Sequence, residues 1–199
     1  MTATTTTTTG QIDLTTDYQG LTVPTAATFH LDAVHSEIGF GVKHMMVSKV
    51  RGRFEKYEGK VEVGNDLLAS SIEIAVDMSS IDTRDEARNN HLRSADFFEV
   101  AAHPTMTFKS TGMEHKGGDR FAVTGDLTIK GVTKPITLDV TYEGVVADPY
   151  GGQRIGFSAR GELDRYDYGV TFGAALETGG LVVGRKIALE FEIEAVRAA

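Results

Sequence analysis

The six histidines are the first residues to test for metal or acid–base chemistry, because an imidazole binds metals and titrates near neutral pH. Their spacing contains no HxH, HExxH or HxxEH group, the arrangements that bring two ligands to one metal. A site assembled from distant residues is the alternative. The histidines are His30, His35, His44, His91, His103 and His115. This spacing predicts that the chain has no metal site.

Nucleophilic catalysis has equally little support. The chain contains no cysteine, which excludes thiolate chemistry, and it lacks the GxSxG and SxxK groups that surround an activated serine. Residues 180–186 contain the glycines and lysine of a phosphate-binding loop, but no Ser or Thr follows Lys186 and the next segment is predicted to be a strand. We therefore expect a turn there, no catalytic residues and no cofactor.

Three polar side chains are candidates for contacting the polar end of a ligand. His44 has the parity of the apolar stripe Ile38–Val42 and lies in line with it on a strand. Arg88 and His91 are three residues apart and share one face of a predicted helix. Cationic groups at the mouth of an apolar tunnel suit an anionic head group. Ordinary structural roles, at a barrel rim or in pairs with nearby acids, are the alternative.

Composition and charge restrict the class of protein. The chain has 199 residues, 41% of them hydrophobic, and a net charge of −8, which disfavours nucleic acid as a partner. No apolar run is long enough to cross a bilayer, and the amino terminus lacks the pattern of a signal peptide. We expect a cytoplasmic protein without a transmembrane segment.

The chain divides into a tail and one domain. Residues 1–20 include an unbroken threonine run from Thr4 to Thr9 and little that a core would bury, so they are predicted to be disordered. Residues 21–199 contain no second break in composition and are predicted to form a single domain, with Leu21–Ala27 as a strap along it.

Alternating apolar and polar residues dominate that domain, as in Ile187–Glu194. This period predicts antiparallel strands with one wet face. Glycine-containing turns separate them, for example Lys130-Gly131. One segment, Asp82–Phe98, does not alternate; a short helix is predicted there, capped by Asp82 or Thr83 and ending at Arg93. The long strands favour an all-β fold: an elongated eight-stranded antiparallel barrel with a helical insert.

The inward faces of these strands supply a predicted ligand-binding wall. Its members are apolar residues of the alternating runs, together with two phenylalanines after the helix that alternatively plug one end of the sheet. The predicted wall is Ile38, Phe40, Val42, Phe54, Ile74, Phe97, Phe98, Met106, Phe108, Leu127, Phe157 and Phe172.

Several motifs together resemble the YceI-like family, in order along the chain from Phe29 to Val196. They are DxxHSxIxFxVKH at 32–44, VxGxF at 50–54, DTR at 82–84, HLRSxDFF at 91–98, PxMxFxS at 104–110, GDLTIKGVTKP at 125–135 and RxDxG at 165–169. The resemblance implies a lipocalin-like barrel that binds a polyisoprenoid or similar long amphiphile in its interior, and a possible homodimer. The chain departs from the family pattern at Asp164 and at Phe172-Gly173, where Asn and Trp-Asn are usual, which bears on the size and polarity of one end of the cavity.

These observations predict a carrier that sequesters or transports a long-chain lipid and is not an enzyme. Two alternatives remain open. One is an enzyme acting on a small amphiphile with His44 or His91 as general base. The other is a solid barrel that serves as an interaction module and has no cavity.

Overall fold

The computed structural model describes residues 14–45, 47–149, 152–173 and 182–198. The chain forms thirteen strands, all paired antiparallel, and one α-helix in this described part. The strands are β1 (Thr15–Tyr18), β2 (Leu21–Pro24), β3 (Ala27–Leu31), β4 (Glu37–His44), β5 (Ser48–Phe54), β6 (Tyr57–Val63), β7 (Ser71–Asp77), β8 (Ile81–Asp82), β9 (Thr105–Gly117), β10 (Arg120–Ile129), β11 (Val132–Ala147), β12 (Gln153–Asp164) and β13 (Val183–Arg197), and the helix is α1 (Glu86–Arg93).

Eight strands close into the predicted barrel. The ring runs β3, β6, β7, β9, β10, β11, β12 and β13, and it closes where β13 pairs with β3 through Ala195↔Leu31. The earlier part of β13 pairs instead with β4, from Val183↔His44 to Glu192↔Glu37. Strands β5 and β8 extend the wall beyond β4 at this end of the barrel. The closed all-β architecture confirms the sequence prediction.

The alternation in the sequence becomes an inside and an outside of the barrel. On β10, for example, Phe121, Val123, Leu127 and Ile129 are buried, whereas Asp126 is exposed. The buried side chains of β10, β11 and β12 form one continuous apolar cluster. A two-residue turn joins β10 to β11, in which Lys130 has φ 50° and Gly131 has φ 74°, the left-handed pair typical of tight hairpins.

Two glycines make room for phenylalanine rings within the wall. A Cβ on Gly52 would lie 2.4 Å from the Cζ of Phe40 on the neighbouring strand. A Cβ on Gly125 would lie 2.4 Å from the Cζ of Phe108, where the pairing of β9 with β10 shifts register. Both rings therefore lie where a side chain would otherwise stand, as expected for small residues inside a curved sheet.

The insert between β8 and β9 contains the predicted helix, but its start differs from the prediction. The N-cap is Asp85, whose carboxylate accepts from the Arg88 backbone N–H at 3.0 Å. Asp82 instead accepts from the N–H of Arg84 at 2.9 Å, and Thr83 donates to the buried Asn89 side chain. The true cap comes later because Arg84, with φ 62°, turns the chain before the helix begins.

The prediction that residues 1–20 are disordered is wrong for Thr15–Tyr18. These residues form β1, which pairs with β2 as a hairpin, the strap hairpin (Thr15–Pro24). Tyr142 Oη donates to the Thr22 carbonyl at 3.1 Å, and Val23 is only 3% exposed. The apolar surface that the hairpin buries over the barrel end offsets the conformational entropy lost when these residues become ordered. The threonine run lies outside the described residues.

Candidate functional site

The barrel encloses an apolar cavity with a volume of about 180 Å³. It is lined by residues of β3 to β7 and β9 to β13, by Leu92 of α1, and by the segments that follow α1 and β12. A second cavity of about 50 Å³ lies toward the strap hairpin. The two cavities share lining residues, so only side chains separate them. The shared residues are Val61, Ile72, Val123, Val140 and Phe157.

Most of the predicted wall lines the larger cavity. These side chains come from six separate strands and from the turn after α1, and folding of the barrel brings them together. They are Ile38, Phe40, Val42, Phe54, Ile74, Phe97, Phe98, Met106, Phe108, Leu127 and Phe157. The structure thus assembles these residues in one place, although their role in binding remains a prediction.

Four other predicted site residues, Phe172, His91, Arg88 and His44, do not line this cavity. Phe172 is 40% exposed, and its ring centroid lies 4.8 Å from that of His91, in a T-shaped contact, and 4.8 Å from that of Phe97. The imidazole of His91 bonds to Asp96 at 3.0 Å, and the guanidinium of Arg88 donates to Thr83 at 2.8 and 2.7 Å. His44 is the last residue of β4 and pairs with Ser48 at the hairpin turn. His44 therefore lies at the end of the strand, outside the described lining of the cavity.

One charged residue of the described chain does line the cavity, and the sequence analysis did not select it. Arg165 follows β12, opens the short 3₁₀ helix Arg165–Tyr168, and is 4% exposed. Its guanidinium donates to the backbone carbonyls of Val170, Val183 and Gly184 at 2.7 to 3.1 Å. Burial lowers its pKa. The guanidinium is a buried cation held by three backbone carbonyls and by the side chain of Tyr166, whose ring centroid lies 4.8 Å from the guanidinium carbon.

Tyr168 lies on the same short helix and also lines the cavity. It is 2% exposed, and its hydroxyl has no hydrogen-bond partner among the described residues. Burial raises its pKa to about 12, so the group stays protonated and remains a donor at neutral pH. Residues three apart eclipse on a 3₁₀ helix, which puts Tyr168 on the face of Arg165. The RxDxG motif at 165–169 begins with Arg165, and its Asp167 and Gly169 flank Tyr168. This motif was the sequence signal that could have identified the pair.

Among the described residues, one cluster of acidic and histidine side chains is close enough together to hold a metal ion, and a second arginine, Arg154 on β12, lies within it. Asp32, His35 and Glu194 form that cluster. The Arg154 guanidinium bonds to Asp32 at 2.7 Å, to Asp148 at 2.7 Å and to Glu194. These carboxylates raise the pKa of Arg154, and Arg154 followed by His35 lowers that of Asp32. The cluster is therefore an ion-pair network organised around a protein cation.

No helix in the described part of the chain is long and apolar enough to span a membrane.

Comparison with known proteins identifies the family. The model of the YceI-like domain matches residues 29–195. A UPF0312 protein of Staphylococcus epidermidis is 41% identical over 168 residues, covering 83% of this chain and 95% of the relative. The crystal structure of Burkholderia cenocepacia BcnA superimposes with a TM-score of 0.73 at 25% identity, covering 82% of this chain and 98% of BcnA.

A polyisoprenoid-binding domain from Saccharophagus degradans, implicated in plant cell wall breakdown, has the same fold with a TM-score of 0.66 at 19% identity. That match covers 87% of this chain and 99% of the domain. The matched family model spans the whole barrel from β3 to β13, in agreement with the resemblance carried by the sequence motifs. The chain belongs to the YceI-like family.

Proposed function

We propose that this barrel binds a polyisoprenoid or a similar long-chain amphiphile inside its cavity and sequesters or carries it. The observation that carries the proposal is the enclosed apolar cavity, whose described lining contains only Thr107, Arg165 and Tyr168 as polar side chains. The Saccharophagus degradans domain, which has the same fold, is described as polyisoprenoid-binding. The predicted wall residues that line the cavity are the proposed contacts.

The size and the apolar lining of the cavity favour an apolar chain over water. An apolar protein cavity of about 150 Å³ stays dry and binds a small aromatic molecule, and the cavity here is larger, at about 180 Å³. Each methylene moved out of water contributes about 0.8 kcal/mol before ordering costs. A longer chain would continue into the second cavity if the ring of Phe157, which borders both, turned aside.

The two alternatives are less well supported. A solid barrel predicts no cavity, whereas the interior contains two. An enzyme acting in the cavity with a histidine base requires an imidazole in contact with the bound substrate. None of the described histidines lines either cavity.

Extraction of the natively purified protein with organic solvent, followed by mass spectrometry, tests the proposal. We expect a copurified molecule with a chain of six or more methylenes or the equivalent isoprene units, on the order of 5 kcal/mol of burial. A fluorescent prenyl or acyl probe should bind to the extracted protein. An extract without lipid, combined with no probe binding, contradicts the proposal.

A pair of matched variants locates the binding. Ala159→Leu adds bulk inside the cavity, whose lining includes Ala159, and should weaken probe binding about ten-fold or more. Ala188→Leu makes the same change on β13, between the cavity-lining Ile187 and Leu189 and so on the outer face. It should leave probe binding unchanged. Equal effects from the two variants would place the probe outside the barrel.

Two further expectations extend this proposal: a cytoplasmic location and a homodimer. Cell fractionation and light scattering of the purified protein test them separately. Recovery in a membrane or secreted fraction contradicts the first, and a monomeric mass contradicts the second.

A further inference from the structure

We infer that Arg165 and Tyr168 form a subsite inside the barrel for the anionic oxygen group of a long-chain ligand, a carboxylate or a phosphate. This inference rests on the proposed function. It differs from the sequence prediction, which assigned the head group to His44, Arg88 and His91.

The guanidinium of Arg165 has N–H donors that its described hydrogen bonds do not use. A guanidinium carries more N–H donors than the three backbone carbonyls on Arg165 accept. No ion pair of the described residues includes Arg165, and the nearby Asp164 carboxylate binds Arg185 at 2.6 Å. Arg165 is 4% exposed and has no described carboxylate within ion-pair distance; Asp164 attracts its charge only from further away. Burying a charge without a counter-ion is unfavourable, and a ligand anion would supply that counter-ion.

The second argument is independent and comes from Tyr168. Its hydroxyl is buried beside the cavity and lacks a partner among the described residues. A buried hydroxyl without a partner costs free energy, and no apolar neighbour can recover it. A phenylalanine would fill the same volume without this cost. A ligand oxygen that accepts a hydrogen bond from the Tyr168 hydroxyl would explain why a tyrosine, and not a phenylalanine, stands at this position.

The geometry of the wall makes these two groups an end point for an otherwise apolar chain. Val170 and Val183 line the cavity on either side, and the carbonyls of both residues fix the guanidinium. Beyond them the cavity lining is apolar except for Thr107. The subsite therefore orients the ligand, with its oxygens at the 3₁₀ helix and its chain pointing toward the strap hairpin. Oxyanions suit a guanidinium because both partners can form parallel hydrogen bonds.

Gly173 provides a way to occupy the subsite from within the protein. A Cβ on Gly173 would lie 3.2 Å from the Nη2 of Arg165. Gly173→Asp brings a carboxylate within reach of the guanidinium, where it competes with a ligand anion. Gly173→Asn has the same shape without the charge. Arg165 itself is a poor choice for substitution, because its guanidinium also holds three backbone carbonyls in place.

The test uses isothermal titration calorimetry with three probes of equal chain length, below their micelle concentrations: decanoate, decyl phosphate and decyltrimethylammonium. We expect the two anions to bind at least ten-fold more tightly than the cation. Tyr168→Phe should weaken anion binding about five-fold or more, leave cation binding unchanged and not lower the urea midpoint. Gly173→Asp should weaken anion binding at least ten-fold relative to Gly173→Asn.

The probes also separate the two sources of the anion, since a preference for decanoate indicates a fatty acid and a preference for decyl phosphate indicates a prenyl or lipid phosphate. If all three probes bind alike and neither Tyr168→Phe nor Gly173→Asp changes the affinities, the subsite is wrong and the proposed function stands. If no probe binds, the proposed function and the subsite are both wrong. A fall in the urea midpoint of Tyr168→Phe would indicate a structural role for the hydroxyl and also contradict the subsite.

Discussion

Two arginines at opposite ends of the same barrel strand, β12, differ in which groups accept hydrogen bonds from their guanidinium. Arg154, at the start of β12 near the strap hairpin, bonds to Asp32, Asp148 and Glu194. Arg165, just after the end of β12, bonds to three backbone carbonyls and contacts the Tyr166 ring, and it forms no ion pair with a described carboxylate. The first guanidinium has its counter-ions within the protein, whereas the second is buried beside an apolar cavity without one.

This difference suggests separate roles for the two ends of β12: the Arg154 end stabilises the fold, and the Arg165 end is the proposed ligand subsite. The ion pairs of Arg154 with Asp32 and Glu194 connect the β3–β4 loop to β12 and β13. The same end is covered by the strap hairpin, which contributes the buried Val23. At the opposite end, Arg165 and Tyr168 retain hydrogen-bonding capacity that the described chain does not use. Variants at the two ends should therefore separate stability from ligand affinity.

The largest effect on stability is expected for Asp148→Ala. The Asp148 side chain is 5% exposed and accepts from Arg154 at 2.7 Å. Removing one carboxylate from a largely buried ion-pair network should lower the free energy of unfolding by about 3 kcal/mol. Urea denaturation measures the loss, and the exposed Asp126→Ala on β10 is the control, with a change within about 0.5 kcal/mol. Decanoate affinity should be unchanged, and a parallel loss of affinity would remove the distinction between the two ends.

A smaller and pH-dependent effect is expected for Asp32→Asn. Hydrogen bonds from Arg154 and then His35 lower the pKa of Asp32 from its ordinary value of 3.8. A carboxyl with a lowered folded-state pKa stabilises the fold above its unfolded pKa, and this contribution disappears as the pH falls toward the folded value. The variant should be less stable by about 1 kcal/mol near pH 7.

Urea denaturation between pH 7 and pH 3 measures this difference, which should shrink below about pH 4. Asp139→Asn on the exposed face of β11 is the control and should follow the native protein throughout. A difference that is constant with pH would show that the Asp32 carboxylate does not stabilise the fold through its charge.

An effect of similar size to that of Asp32→Asn at pH 7, but independent of pH, is expected for Val23→Ala in the strap hairpin. Val23 is 3% exposed and lines the second cavity, so the change removes buried apolar volume and should cost about 1 kcal/mol. Thr22→Ala, on the exposed neighbouring residue, keeps the backbone carbonyl that Tyr142 uses and should be nearly neutral. Equal urea midpoints for the two variants would show that the hairpin does not close this end by apolar packing.

The barrel was predictable because its signal is local. The alternation in Ile187–Glu194 fixes which side chains face inward, and closure of the sheet then gathers them around one cavity. Strand ends were less predictable. His44 has the inward parity of its strand, but it is the last residue of β4 and does not line the cavity.

The polar subsite was not predictable from local pattern, because its burial depends on distant backbone. Arg165 is held by carbonyls of Val183 and Gly184, which lie 18 and 19 residues further along the chain. Sequence spacing does not reveal that two backbone carbonyls converge on one guanidinium. The strap hairpin was missed for a related reason: β1 is ordered by pairing with β2 and by its position on the barrel.

The central claim is that a long chain lies inside the barrel with its polar end at Arg165 and Tyr168. Photo-crosslinking with a hexadecanoate that carries a diazirine on its terminal carbon, followed by peptide mass spectrometry, tests it most directly. We expect labels on inward residues toward the strap hairpin, such as Phe157, Val123 or Ile72, which border both cavities. Labels confined to the outer face of the barrel, or labels on the 3₁₀ helix Arg165–Tyr168, would contradict it.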